Sequence, residues 1–128
     1  MTVLADAIAA DVLGVEIAAL THEIDARWLM AYAAGLGETD AHYFDTLGPH
    51  GPWAHPLFPV CYEWPAALAL REHVAAAALQ SRSVHATHHV IVHRSPRAGD
   101  VLRTIGRIVG VEPRRAGTRV VSRFVTTD

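Results

Sequence analysis

The sequence contains no lysine: all of its 11 basic residues are arginine. Against 13 acidic residues this gives a net charge of −2, and no electrostatic reason to expect a nucleic-acid partner. The single cysteine, Cys61, excludes an internal disulfide and leads us to expect a reducing, cytoplasmic setting. No stretch approaches the roughly 18 uninterrupted apolar residues of a membrane span. The opening Met-Thr-Val-Leu-Ala-Asp carries acid rather than a basic leader, so no secretory signal is expected. Nor is there a low-complexity tract, an internal repeat or a linker, which leaves residues 1–128 as one expected domain. The absence of lysine has a plain compositional explanation in a GC-rich coding sequence. Its functional alternative is a phosphate site, such as one for coenzyme A, because guanidinium forks suit phosphate oxygens.

What the chain does contain is an apolar share of 51%, enough for a core at this length. Asp11–Leu20 reads as a first strand or an extended entry segment, with imperfect alternation. Asp25 then stands where a helix N-cap is expected, between Ile24 and Leu29, which are spaced for a hydrophobic staple. Leu29, Tyr32, Ala33 and Leu36 mark one helical face, and Gly37 ends it. Residues 38–58 are loop-like. A second, alanine-rich helix ends near Leu79, starting either at Pro59 with a bend at Pro65 or at Pro65 itself. Its many alanines permit close approach of a sheet, so we expect it to be buried and central. The last third reads as strands at Val84–His93, Val101–Val111 and Thr118–Thr127, with turns at 95–100 and 112–117. Strand, helices, then an antiparallel meander is an α+β pattern.

Three stretches in order, Tyr32–Asp45, Ala54–Pro65 and Val84–Asp100, resemble the N-terminal domain of MaoC-like hydratases/dehydratases. The resemblance implies an α+β hotdog fold, a curved antiparallel sheet wrapped around a central helix. It implies reversible hydration of 2-enoyl thioesters of coenzyme A or a carrier protein, in fatty-acid, steroid or polyketide metabolism, without a cofactor. Active members of that family carry Gly-Asp-x-Asn-Pro-x-His after the short helix. In them the acid and the histidine perform general acid–base catalysis, and a backbone N–H in an Ala-His-Gly segment polarises the thioester carbonyl.

This sequence departs from the pattern at each of those points. Glu38 falls where the aspartate belongs and Tyr43 where the histidine belongs. Ala54-His55-Pro56 replaces Ala-His-Gly, and proline has no N–H to donate. Such degenerate hotdogs pair with a catalytic hotdog and make room for bulky acyl tails. The expected role is therefore an acyl-binding, non-catalytic unit of an enoyl-thioester hydratase whose catalytic residues lie in a partner hotdog, with that partner or a second copy of itself as the expected assembly. The family fold generally adds a strand after the one at 118–127, so the expectation is a shortened sequence, a last strand supplied by a partner, or a different strand count.

Two alternatives stay open. One is a self-sufficient thioester enzyme in which Glu38 and His42, one position from the histidine slot, form the acid–base pair. The other is a non-enzymatic binding protein for acyl or other apolar ligands. In the first alternative's bland counterpart, Asp40, His42 and Asp45 merely satisfy loop backbone groups. Candidate substrate contacts are His55 and the aromatic group Trp53, Phe58, Tyr62 and Trp64, for which core packing is the competing reading. Cys61, in an apolar setting, reads as a small buried hydrophobe. The nine histidines do not suggest a metal site. His85, His89 and His93 would share one side of a strand, but neighbours four apart on a strand are about 13 Å distant and cannot share one ion.

Overall fold

The start of the first helix, α1 (Ala26–Gly35), is set by three neighbouring residues. Asp25 adopts an extended backbone and its carboxylate accepts the Trp28 N–H at 2.7 Å. This satisfies one of the donors that a helix start leaves without a partner, an effect typically of about 1 kcal/mol. Ile24 and Leu29 lie one residue before the cap and four after it, and both are fully buried in one cluster. They form the staple that fixes how the chain enters the helix. At the other end the Leu36 N–H bonds back into the last turn, and Gly37 takes a φ of +79°, which favours glycine. Of the expected apolar face, Leu29 and Ala33 are buried and Tyr32 partly so. Leu36 is half exposed, because it caps the helix where the chain turns away.

The computed structural model describes residue 8 and residues 10–74 and 80–128. Within them the second helix, α2, runs Val60–Val74, so Pro65 lies inside it rather than at its start. Proline brings no N–H, which leaves the Cys61 carbonyl without its usual helical donor. The expected end near Leu79 lies outside the described residues. Tyr62, Ala66 and Leu70 recur every four residues as the buried face. Val60, Trp64 and Leu68 are exposed on the helix's other side.

Strand β1 (Leu20–Glu23) pairs antiparallel with β2 (Val101–Arg114), which pairs antiparallel with β3 (Gly117–Thr127). The β2–β3 ladder runs from Arg103↔Thr127 to Arg114↔Gly117, with an irregularity between Ile108 and Gly110. The two-residue connection at 115–116 is tighter than the expected turn over 112–117, and Glu112 and Pro113 belong to β2. Two sets of buried residues join the sheet to the helices. Ile24, Leu29, Phe58, Tyr62 and Leu102 form one, and Ile17, Ala66, Leu70 and Ile108 the other. The small Ala66 side chain lets α2 approach β2 closely, as the alanine content suggested. The architecture is α+β in the hotdog arrangement.

One expected strand is corrected, and of the two readings of Asp11–Leu20 the extended entry segment is the one seen. Ala10–Val12 is a 3-10 turn, Gly14 turns at φ +86°, and only Leu20 belongs to a strand. Residues 15–19 are an extended entry segment, bonded to β2 through Ile17 N–H to Gly106 O and Ile108 N–H to Val15 O. Val84–His93 forms no ladder among the described residues and is exposed throughout. Its β-branched residues favour extended backbone, but a strand also needs a neighbour to accept its N–H groups. The turn after it forms as expected. Asp100 accepts the Arg97 N–H at 2.8 Å, and Gly99 sits at φ +94°.

Candidate functional site

The loop between the helices is folded back on itself by short-range bonds. Asp45 Oδ1 accepts the Leu47 and Gly48 N–H groups at 2.9 Å each. The Trp53 N–H donates to the His42 carbonyl at 2.9 Å, and Gly51 turns at φ +63°. This closure carries Ala54-His55-Pro56 back beside the end of α1. There the Glu38 Oε1 lies 3.2 Å from the His55 Nε2. The His55 side chain is only 13% exposed and that of Glu38 34%. Glu38 thus contacts His55, whereas His42, its partner in the alternative acid–base reading, does not meet it.

The tautomer follows from the other ring nitrogen. The Leu57 N–H donates to His55 Nδ1 at 3.1 Å, so in the neutral ring Nδ1 accepts and Nε2 carries the proton toward Glu38. Both ring nitrogens are therefore engaged. Aromatic rings fix the imidazole further: Tyr43 and Tyr32 stand 5.6 and 5.9 Å from it, centroid to centroid. The Tyr32 hydroxyl donates to the Leu57 carbonyl at 3.2 Å. Burial, and secondarily Cys61 nearby, push the Tyr32 phenol upward, so it stays a neutral donor.

His42 sits apart from this pair. Its ring packs against Tyr43 at 4.0 Å and Trp53 at 5.2 Å and makes no hydrogen bond among the described residues. Asp40, which precedes the 3-10 turn Ala41–Tyr43, makes no side-chain cap either. Of the three loop residues weighed as backbone partners, only Asp45 serves in that way.

The entrance to α2 decides what a carbonyl would meet. Pro56 and Pro59 have no N–H. The Leu57 N–H is held by His55 Nδ1, and the Phe58 N–H donates to the His55 carbonyl at 2.8 Å. The Val60 N–H donates to the Leu57 carbonyl at 3.2 Å. No backbone donor from 56 to 60 is free to polarise a thioester carbonyl.

The aromatic candidates divide between core and surface. Phe58 is fully buried and Tyr62 7% exposed, and both pack in the first set of core residues. Phe58 lies edge-on to Trp28 and Tyr32 at 5.3 and 5.6 Å. Trp53 and Trp64 are more than half exposed, on the loop and the outer side of α2. Cys61 packs against the same core, and burial pushes its thiol up, partly offset by a hydrogen bond with Trp28.

Elsewhere, His88 Nε2 lies 3.1 Å from Glu63 Oε1, and the rings of His85 and His88 are 5.3 Å apart. The strand geometry used to separate these histidines falls with the strand. Among the described residues, no three histidine, cysteine, aspartate or glutamate side chains gather as a metal site. No helix there is long and apolar enough to cross a membrane.

A family model described as the FAS1-like, dehydratase domain region matches residues 11–128. The chain belongs to that family, which makes it a dehydratase-type hotdog domain. No curated protein matches the chain.

No local pattern signals that Glu38 meets His55, 17 positions away. The nearest signal was His55's place ahead of two prolines, where a rigid helix entry holds a side chain against the preceding helix.

Proposed function

We propose that this domain is the non-catalytic, acyl-accommodating unit of a MaoC-like enoyl-thioester hydratase/dehydratase. The observation that carries the reading is the helix entry at 56–60, where every backbone N–H is absent or already bonded. An oxyanion donor is often worth about 3–4 kcal/mol of transition-state stabilisation, and its loss alone disables a thioester site. The Glu38–His55 pair does not replace the acid–base machinery. Both His55 nitrogens are already engaged, Nδ1 by the Leu57 N–H and Nε2 by Glu38, so neither is open to a substrate.

The catalytic residues accordingly belong to a second hotdog, in the same assembly, to which this domain contributes wall and shape. Trp53 and Trp64 expose apolar surface beside the helix entry, the kind of surface a bulky acyl tail or a partner's wall covers. The outer edge of β3 has no partner among the described residues. Such an edge recruits a further strand, here the family's last strand or one from a partner hotdog.

Purification of the native protein with whatever it binds, followed by sedimentation at micromolar concentration, tests this. The expected result is a complex with a hotdog carrying an intact Gly-Asp-x-Asn-Pro-x-His segment; a dimer of this chain alone counts against the reading. A stable monomer without a hotdog partner overturns the reading.

A second reading rests on the Glu38–His55 contact itself: a self-sufficient thioester enzyme in which substrate binding frees His55 Nδ1. Turnover of a 2-enoyl thioester by the pure chain, lost in His55→Ala, distinguishes it.

A further inference from the structure

On the face of the sheet turned away from α2, two arginines stand directly opposite one another. Arg107 of β2 and Arg123 of β3 are register partners in the antiparallel ladder. Like charges at that position repel, because cross-strand Cβ atoms are only about 5 Å apart. Neither guanidinium has an ion pair or hydrogen bond among the described residues, whereas Arg94 bridges Asp100 and Asp128, and Arg114 and Arg119 hold Glu112; what sets Arg107 and Arg123 apart from other unpaired arginines is that they face each other. A Cβ placed on Gly14 would stand 3.7 Å from Arg107 Nη2, so the guanidinium lies close over the Gly14 turn.

The pair borders a concavity of about 480 Å³ whose remaining wall is mostly apolar. Leu13, Val109 and Val125 line it while 56%, 45% and 48% exposed, so the apolar floor is open. Glu16, the bridge partner of Arg107 on the side away from β3, is the one carboxylate in the lining, and among the described residues it forms an ion pair with neither arginine. Two unpaired cationic forks above an apolar floor suit a ligand that is anionic at one end and apolar at the other. We propose that Arg107 and Arg123 form a binding site for a phosphate ester carried on an apolar chain, on the sheet face opposite α2. The phosphate oxygens take the guanidinium N–H groups in forked geometry and neutralise the repulsion between them. A dianionic head matches the two cations better than a carboxylate does, and the chain lies over Leu13, Val109 and Val125. The site lies across the sheet from α2 and does not depend on the function proposed for the helix entry.

Hexyl phosphate is the probe, titrated into the full chain by calorimetry, with inorganic phosphate, hexanoate and hexanol as comparisons. The expected result is saturable binding of hexyl phosphate, at least about tenfold tighter than any comparison. Arg107→Gln and Arg123→Gln should each weaken it about tenfold or more, since a hydrogen bond to a charged group is worth roughly 1.5–3 kcal/mol and 1.4 kcal/mol is tenfold. Without ligand, each variant should melt at or above the wild-type temperature, because the substitution relieves the repulsion. The proposal is overturned by absent saturation, by equal affinity for inorganic phosphate, or by variants that bind as wild type. Melting lowered in both variants would assign the arginines to holding the sheet, and equally overturns it.

Discussion

Among the described residues, two histidine–glutamate contacts of nearly equal length stand in different settings. Glu38–His55, at 3.2 Å, joins the end of α1 to the entrance of α2 with its imidazole 13% exposed. Its second nitrogen is bonded to backbone, and tyrosine rings border it. Glu63–His88, at 3.1 Å, joins α2 to an exposed segment without a ladder, with its imidazole 34% exposed. The same two residue types give a ring held at both nitrogens in one place and, in the other, a more exposed ring on a segment without a ladder. What separates them is the number of other groups that depend on the ring.

The largest effect expected around the first contact comes from beneath it. Phe58 is fully buried against Trp28 and Tyr32, and Phe58→Ala should cost about 3–5 kcal/mol in denaturant unfolding. A smaller loss would show that the aromatic support collapses to fill the space. Next comes the ring itself. His55→Ala leaves the Leu57 N–H and the Glu38 carboxylate without their partner, for a loss of about 1–3 kcal/mol. His88→Ala should cost less than His55→Ala, under about 1 kcal/mol, because only one nitrogen of the more exposed ring meets Glu63. Equal losses in the two variants would break the comparison.

Helix α1 carries Glu38 just beyond its end, so its cap should matter to the first contact and not to the second. Asp25→Ala should cost about 1 kcal/mol, and Asp25→Ser should restore most of it. The smallest effect belongs to the turn beside the second contact. Burial alone would raise the Asp100 carboxyl pKa, but the Arg97 N–H and the Arg94 guanidinium more than offset this and hold it below its ordinary value. A carboxylate with a depressed folded-state pKa stabilises the fold above its unfolded-state value. That contribution is lost as the pH falls through the folded-state value. Wild-type melting should therefore decline more steeply below about pH 4 than that of Asp100→Asn. Parallel acid profiles would remove Asp100 from the account.

Local signals were the readable ones. Asp25, Ile24, Leu29 and Gly37 punctuate α1 because capping and stapling act within a few residues. The β2–β3 hairpin was readable for the same reason, since its two strands adjoin in sequence. Val84–His93 has the composition of a strand yet forms no ladder among the described residues, because a strand is defined by its neighbour. The partner of Glu38 was illegible on similar grounds: which histidine it meets depends on how the 38–58 loop closes, through bonds such as Trp53 N–H to His42 O. The loss of the N–H at Pro56 was plain from the sequence. That Leu57 and Phe58 also spend theirs on His55 was visible only in three dimensions.

The central claim, that the acid–base and carbonyl-polarising groups of this dehydratase-type domain lie in a partner, is tested most directly by hydration of a crotonyl thioester by the pure chain. General acid–base catalysis is typically worth about 10² to 10⁴ in rate, so its absence is easily read. The account predicts a rate at the buffer background, unchanged in Glu38→Gln, His42→Ala and His55→Ala. Robust turnover that any one of these substitutions abolishes would contradict it.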